Sequence, residues 1–403
     1  MTILPHYNEF KGRHWETGTV RNYFAYRGVR APHTGEPYTE ALLMGVSGGA
    51  VMGYFTFAYE GHDPQCRLLT RNTFAPLETM LTRLGVAQHL QHTANPDKGR
   101  TNLLDTLASG VPAIVWADYF SLPYSYNVTP YENNFWAMFP TLVYGHDEAA
   151  DTVWIAGRAD VPLTATPAEL HAARARVKQD KFRLLTLDPP NPDKLVSAVQ
   201  AGIWDCIKLF TEAPPKGSKN NFGLQAYQFW AEQLVKPKAR LSWARTFPAG
   251  RAMYGALTEI YDAIHFFNGF PSAERDLYAD FLDEASVILK RPAIRSAAEH
   301  FHLAARAWDD LSHALLPEHI PPFQQARELL HRRAHLADTQ GNAATADIRA
   351  IQAQFKTLKT QMETEFPLTE AEVVTFRENL ADQVLHVHDV EKSAVTVLRD
   401  AMA

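Results

Sequence analysis

Two runs decide the fold: Leu142-Val143-Tyr144 and Thr152-Val153-Trp154-Ile155-Ala156, with Gly145-His146-Asp147-Glu148 after the first. Both runs are short and rich in β-branched or aromatic residues. Turn-forming residues stand between them, so the pair reads as a β-hairpin. Ala113 to Trp116 is a third short β-rich run. Thr19–Tyr26 and Pro76–Leu84 read as short helices. Strands joined by hairpins and helices kept apart from them give an α+β domain with an antiparallel sheet, over residues 1–165. Beyond it, Thr166 and Pro167 start a helix as N-cap and first helical residue. From about residue 251 the apolar positions recur at three- and four-residue spacing, so the rest is nearly all helix. Gly341-Asn342 interrupts that pattern, and Thr369 with Glu372 forms a capping box that opens the last helix. The expected segments are 1–165, a mixed-to-helical 166–315 and a long-helix hairpin at 316–403.

Composition narrows the function classes. The chain has 403 residues, 46% hydrophobic and 21% charged, with a formal net charge of −6. These are ordinary globular values, which exclude bulk disorder and fibrous architectures. The acidic balance and the lack of a basic run argue against a nucleic-acid partner. Two cysteines, Cys66 and Cys206, cannot build a disulfide framework. Met1 to His14 has no apolar run of signal-peptide length, so a cytoplasmic setting is expected. Ala41 to Tyr59 carries no charge and reaches the length of a membrane span. Four glycines and the absence of closely flanking Lys or Arg favour a buried, glycine-packed strand or helix instead. No membrane partner is expected.

Several patterns carry potential chemistry. Gly45-Val46-Ser47-Gly48-Gly49 fits the G-x-S-x-G nucleophile elbow, and Asp118 and His146 follow in the order of a hydrolase triad. The competing reading is a tight packing turn. His331 and His335 lie four apart on one helix, and Glu299/His302 and Glu328/His331 have the E-x-x-H spacing of carboxylate-bundle metal sites. Arg332 and Arg333 inside the first pair point to a solvated face, and no metal is assigned. Arg71-Asn-Thr-Phe74 and Pro214-Pro-Lys-Gly-Ser-Lys219 are polar loops that could meet an anion or could be plain surface. Trp116, Tyr119, Phe120, Tyr124, Tyr126, Tyr131, Phe135, Trp136 and Phe139 are dense enough to line a pocket or to wall the first domain.

A family resemblance emerges from the order of several stretches. They are Gly12-Arg-His-Trp-Glu-Thr-Gly-Thr19, Tyr38-Thr-Glu-Ala41 running into Gly45-Val-Ser-Gly-Gly-Ala50, Gly53-Tyr54, Asp118-Tyr-Phe-Ser-Leu-Pro-Tyr124, Val143-Tyr-Gly145 and Gly157-Arg158. The N-terminal half resembles the butirosin biosynthesis protein H group. Asn221-Phe-Gly-Leu224 and Arg275 to Ala285 resemble the helical domain that accompanies it. The resemblance implies a papain-like N-terminal domain followed by a helical region, and acyl transfer from a carrier protein to an amine. Such chemistry uses a Cys at a helix N-terminus, activated by a His that an Asp orients.

This chain departs from the pattern at each position. Trp15 stands where the resemblance places the nucleophile, Met138 to Thr141 where it places the base, and Gly157 where it places the acid. Two readings follow. In the first, a non-catalytic cleft lined by Trp15, Trp116, Tyr124, Trp136 and Ser47 binds an acyl or amine ligand or an acyl carrier protein. In the second, an enzyme works in the same cleft with His14, Glu16, Asp118 and His146. No cofactor is assigned, and a homodimer through the long helices is left open.

Overall fold

The computed structural model describes residues 2–125, 136–177, 181–212, 214 and 219–403. Nine strands are formed among them: β1 (Thr2–Ile3), β2 (Ala50–Phe57), β3 (Gln65–Arg71), β4 (Gln88–Gln91), β5 (Ala113–Asp118), β6 (Met138–Asp147), β7 (Thr152–Ala156), β8 (Leu163–Ala165) and β9 (Leu184–Leu187). The chain forms two compact units. One takes residues 1–43, 81–194 and 332–353; the other takes 44–80, 195–331 and 354–403. The units thus interleave along the chain, whereas composition divides it at 165 and 315. Long-range pairing explains the difference, because β9 lies past residue 165 yet joins the sheet.

The first unit carries a seven-stranded sheet in the order β4-β9-β5-β6-β7-β8, with β1 added to β6. Every pairing is antiparallel, as the α+β reading requires. β5 is buried along its whole length, and the helices Pro96–Ala108 and Pro167–Ala175 pack against it. Burial of both faces explains why its sequence, Ala-Ile-Val-Trp-Ala-Asp, does not alternate.

The expected hairpin is β6–β7, but its turn lies later than the glycine suggests. The strand runs on through Gly145 to Asp147 and pairs Asp147 with Thr152. The Asp147 carboxylate accepts the amides of Ala149 and Ala150, and Asp151 takes the left-handed conformation that closes the turn. Gly145 instead sits where a Cβ would press on Ile3 and Trp154.

The edge strand β8 is completed from far away in sequence. The Asn342 side chain accepts from the Thr164 amide at 2.8 Å and donates to the Thr164 carbonyl at 2.9 Å. It mimics a neighbouring strand, so the Gly341-Asn342 break in the helical pattern is what ties this segment to the sheet. Gly341 has φ of +53°, and a Cβ there would lie 2.7 Å from Leu163.

The second unit packs β2 and β3, a two-stranded antiparallel ribbon, among helices. The helix Ala293–Leu315 lies against Glu370–Met402 and Arg275–Ile288. At its centre Glu391 accepts from Arg275 Nε at 2.5 Å, Tyr227 Oη at 2.5 Å and Trp308 Nε1 at 2.8 Å. Nearby, Ser272, Ala273 and Glu274 are consecutive non-glycine residues with positive φ. Strain of this kind persists only where surrounding contacts fix it. Here Glu274 is held by Arg71, Thr70 and Asn268.

The uncharged stretch from Ala41 resolves into a helix, Glu40–Val46, and β2. Its glycines permit close approach: a Cβ on Gly202 would lie 2.1 Å from the Gly45 carbonyl oxygen. No helix among the described residues is long and apolar enough to cross a membrane.

Candidate functional site

The loop before the first helix builds the site. Gly12 and Gly18 cross so closely that a Cβ on Gly12 would lie 2.3 Å from the Gly18 carbonyl oxygen. The loop is therefore pressed onto the start of the helix Thr17–Tyr26, a contact only glycine allows. Beneath it, the buried Glu40 carboxylate accepts the amides of Arg13 at 2.7 Å and His14 at 2.8 Å, and the Thr17 hydroxyl at 2.8 Å. Arg13 donates to the Arg158 carbonyl and pairs with Asp160.

This frame presents Trp15 just ahead of the helix start. Its ring stacks on Phe139 with centroids 4.3 Å apart and planes 9° apart, and meets the edge of Tyr119 at 4.6 Å. The Arg158 guanidinium lies over the same indole at 4.4 Å, a cation–π contact. The buried Trp15 Nε1 has no hydrogen-bond partner among the described residues. Beside this stack is a cavity of about 40 Å³. That is room for about three water molecules. His14, Trp15 and Thr19 contribute from the loop and first helix, and Phe139, Pro140 and Thr141 from β6. Tyr119 and Tyr124 follow β5, Gly157 and Arg158 follow β7, and Ala337 and Gly341 come from the distant segment. The three places where the resemblance puts nucleophile, base and acid thus converge on one cavity.

His14 has a defined orientation. Its Nδ1 accepts the Glu16 amide at 3.3 Å, so the neutral ring carries its proton on Nε2. Tyr124 lines the cavity, and burial pushes its phenol pKa up, which keeps the hydroxyl a donor.

The other expected residues lie elsewhere. Asp118 is buried and committed: it accepts the Ala137 amide at 2.9 Å, the Phe120 amide at 3.4 Å and the Ser121 hydroxyl at 2.5 Å. It caps the turn after β5 and is absent from the cavity lining. His146 sits near the far end of β6, opposite Val153 and Thr2. Five residues of strand separate it from Thr141, on the order of 16 Å. Burial lowers its pKa, and Arg100 adds to the effect. Trp116 is buried with Arg183 over its ring at 4.0 Å, and Trp136 is 57% exposed; neither lines the cavity. Glu16 stands at the helix N-cap without a side-chain cap bond.

Ser47 belongs to the other unit and is not an elbow. A nucleophile elbow runs from strand to Ser to helix. Here the helix Glu40–Val46 precedes Ser47 and β2 follows, the reverse order. The Ser47 hydroxyl is buried and donates to the Met44 carbonyl at 2.7 Å. Arg71, from the first polar loop, is likewise buried against Glu274. Tyr126, Tyr131 and Phe135, and most of the Pro214–Lys219 loop, lie outside the described residues. Among the described residues no three His, Cys, Asp or Glu side chains are grouped to hold a metal.

A sheet-backed cavity at a helix start, walled by the ends of β6 and β7, defines the class of site. Residues 14–158, which supply most of that wall, match the family model of butirosin biosynthesis protein H, N-terminal. Over these residues the chain is similar to that family. The match associates it with specialised metabolism of an acyl-transfer type. No curated protein matches the chain.

Proposed function

We propose that the chain binds an acyl or amine ligand, or an acyl carrier protein, in this cavity without a cysteine nucleophile. The observation that carries the reading is the convergence of Trp15, Phe139 to Thr141 and Gly157 on one hollow. An indole nitrogen has no usable lone pair and cannot attack a thioester. Phe139, Pro140 and Gly157 offer no general base. Cys66 and Cys206 are buried in the other unit, and burial raises both thiols well above the reactive range.

A second reading, an enzyme with a different residue set, draws support from His14. Its neutral ring, fixed by the Glu16 amide at Nδ1, could donate an Nε2–H hydrogen bond to a developing oxyanion in the cavity. Asp118 and His146 drop out of that set for the reasons above.

The test is incubation of the purified chain with an acyl-loaded carrier protein and a primary amine. Native mass spectrometry reads binding, and product analysis reads transfer. A complex without transfer supports the first reading. Transfer that disappears in His14→Ala or Glu16→Ala, with the fold intact, supports the second. Neither complex nor transfer removes both.

A further inference from the structure

The polar lining offers donors and acceptors together. Tyr124 keeps its phenol proton, because burial raises its pKa. The hydroxyls of Thr19 and Thr141 donate to the carbonyls of Pro140 and Phe139, which leaves their oxygens as acceptors. What the geometry restricts is size.

Leu163 opens β8 and is buried in the cavity wall. Its side chain is wedged between two glycines that line the same hollow. A Cβ on Gly157 would lie 2.7 Å from Leu163 Cδ1, and a Cβ on Gly341 would lie 2.7 Å from Leu163 Cδ2. Each methyl group therefore takes the place that a neighbouring side chain would fill. Gly157 is more than a missing acid: it is the slot that admits Leu163. The backbone beneath is also fixed, since Asn342 bonds both the amide and the carbonyl of Thr164. A side chain held from two sides on a pinned strand is a rigid floor, and a close-packed wall resists an extra methylene. Above that floor about 40 Å³ is left. That is about three water-sized groups, the bulk of an acetyl head.

We propose that Leu163 is the specificity-determining residue of the cleft, closing its floor so that acyl heads of acetyl or propionyl size enter and hexanoyl or benzoyl heads do not. The inference rests on the cleft-binding reading and deepens it.

Calorimetric titration of the full chain with the acetyl, propionyl, hexanoyl and benzoyl thioesters of N-acetylcysteamine tests it. The two short thioesters should bind at least tenfold more tightly than the two bulky ones. Leu163→Ala removes three carbons, about as much room again as the hollow now has, and should bring hexanoyl binding level with acetyl. Leu163→Met keeps the volume and should keep the wild-type order. Thermal melts check that each variant is folded. Should Leu163→Ala fail to fold, Ala337→Val decides, because it narrows the same hollow and should weaken acetyl binding at least tenfold. Three results overturn the assignment and leave the cleft reading in place: hexanoyl bound by the wild type as tightly as acetyl, a chain-length order that Leu163→Ala does not move, or acetyl binding that Ala337→Val does not move. Binding of none of the thioesters, by the wild type or by Leu163→Ala, overturns the assignment together with the acyl part of that reading.

Discussion

Two buried polar sites, one in each unit, are treated in opposite ways. In the helical unit, Glu391 is fully enclosed and accepts three hydrogen bonds, while Arg275 reaches the carbonyls of Thr70, Ala273 and Val51. In the sheet unit, a buried indole N–H lacks a partner beside a hollow. Satisfied networks rigidify a core, whereas an unsatisfied group in a native fold calls for an explanation. A ligand meeting that N–H is the explanation the proposed function supplies.

The sharpest way to break this contrast is Glu391→Ala. It strands the Arg275 charge in the core and should cost about 3–5 kcal/mol. Chemical denaturation checks this, and a loss under about 1 kcal/mol would sink the view that pairing holds the unit.

His265 is one of the helical unit's buried groups outside that network, and its Nε2 has no partner among the described residues. Burial lowers its pKa to about 4, with His331, His313 and Arg327 adding to the effect. A folded value below the free value favours the neutral ring, so the stability it contributes is present above about pH 6.5 and lost as pH falls toward 4. The expected loss is about 3 kcal/mol, and His265→Gln should flatten the profile in pH-dependent melts. A wild-type curve level from pH 7 to 4 refutes it.

Trp15→Ala removes one stack and one cation–π contact from a half-buried ring and should cost about 2 kcal/mol. Trp136→Ala should stay within about 0.5 kcal/mol, because the ring is mostly in water. A larger loss there would return Trp136 to the site.

Local signals in the sequence carried much of the fold. The β6–β7 hairpin was legible from its composition, and both Thr166 and Thr369 form the caps their neighbours suggest. β4 was not, because Gln88-His-Leu-Gln91 is exposed and does not alternate. Its pairing with β9 spans about a hundred residues, which no local pattern encodes. Of the candidate residues, His14, Trp15 and Tyr124 line one cavity. Asp118 and His146 lie outside its lining, and residue type alone does not reveal such placement. Arg158 was signalled only by its place after Gly157. Ala337 and Gly341 carried no signal, since only the tertiary fold brings them to the wall.

That remote wall has a consequence for synthesis. The sheet unit closes only when residues 332–353 arrive, yet residues 195–331 are made first. At ribosomal speeds of about 5–20 residues per second, β8 waits roughly 8 to 30 s with its outer backbone groups bare. Exposed edges of this sort invite pairing with other nascent chains. Asn342, which bonds both backbone groups of Thr164, therefore acts as the latch that covers this edge.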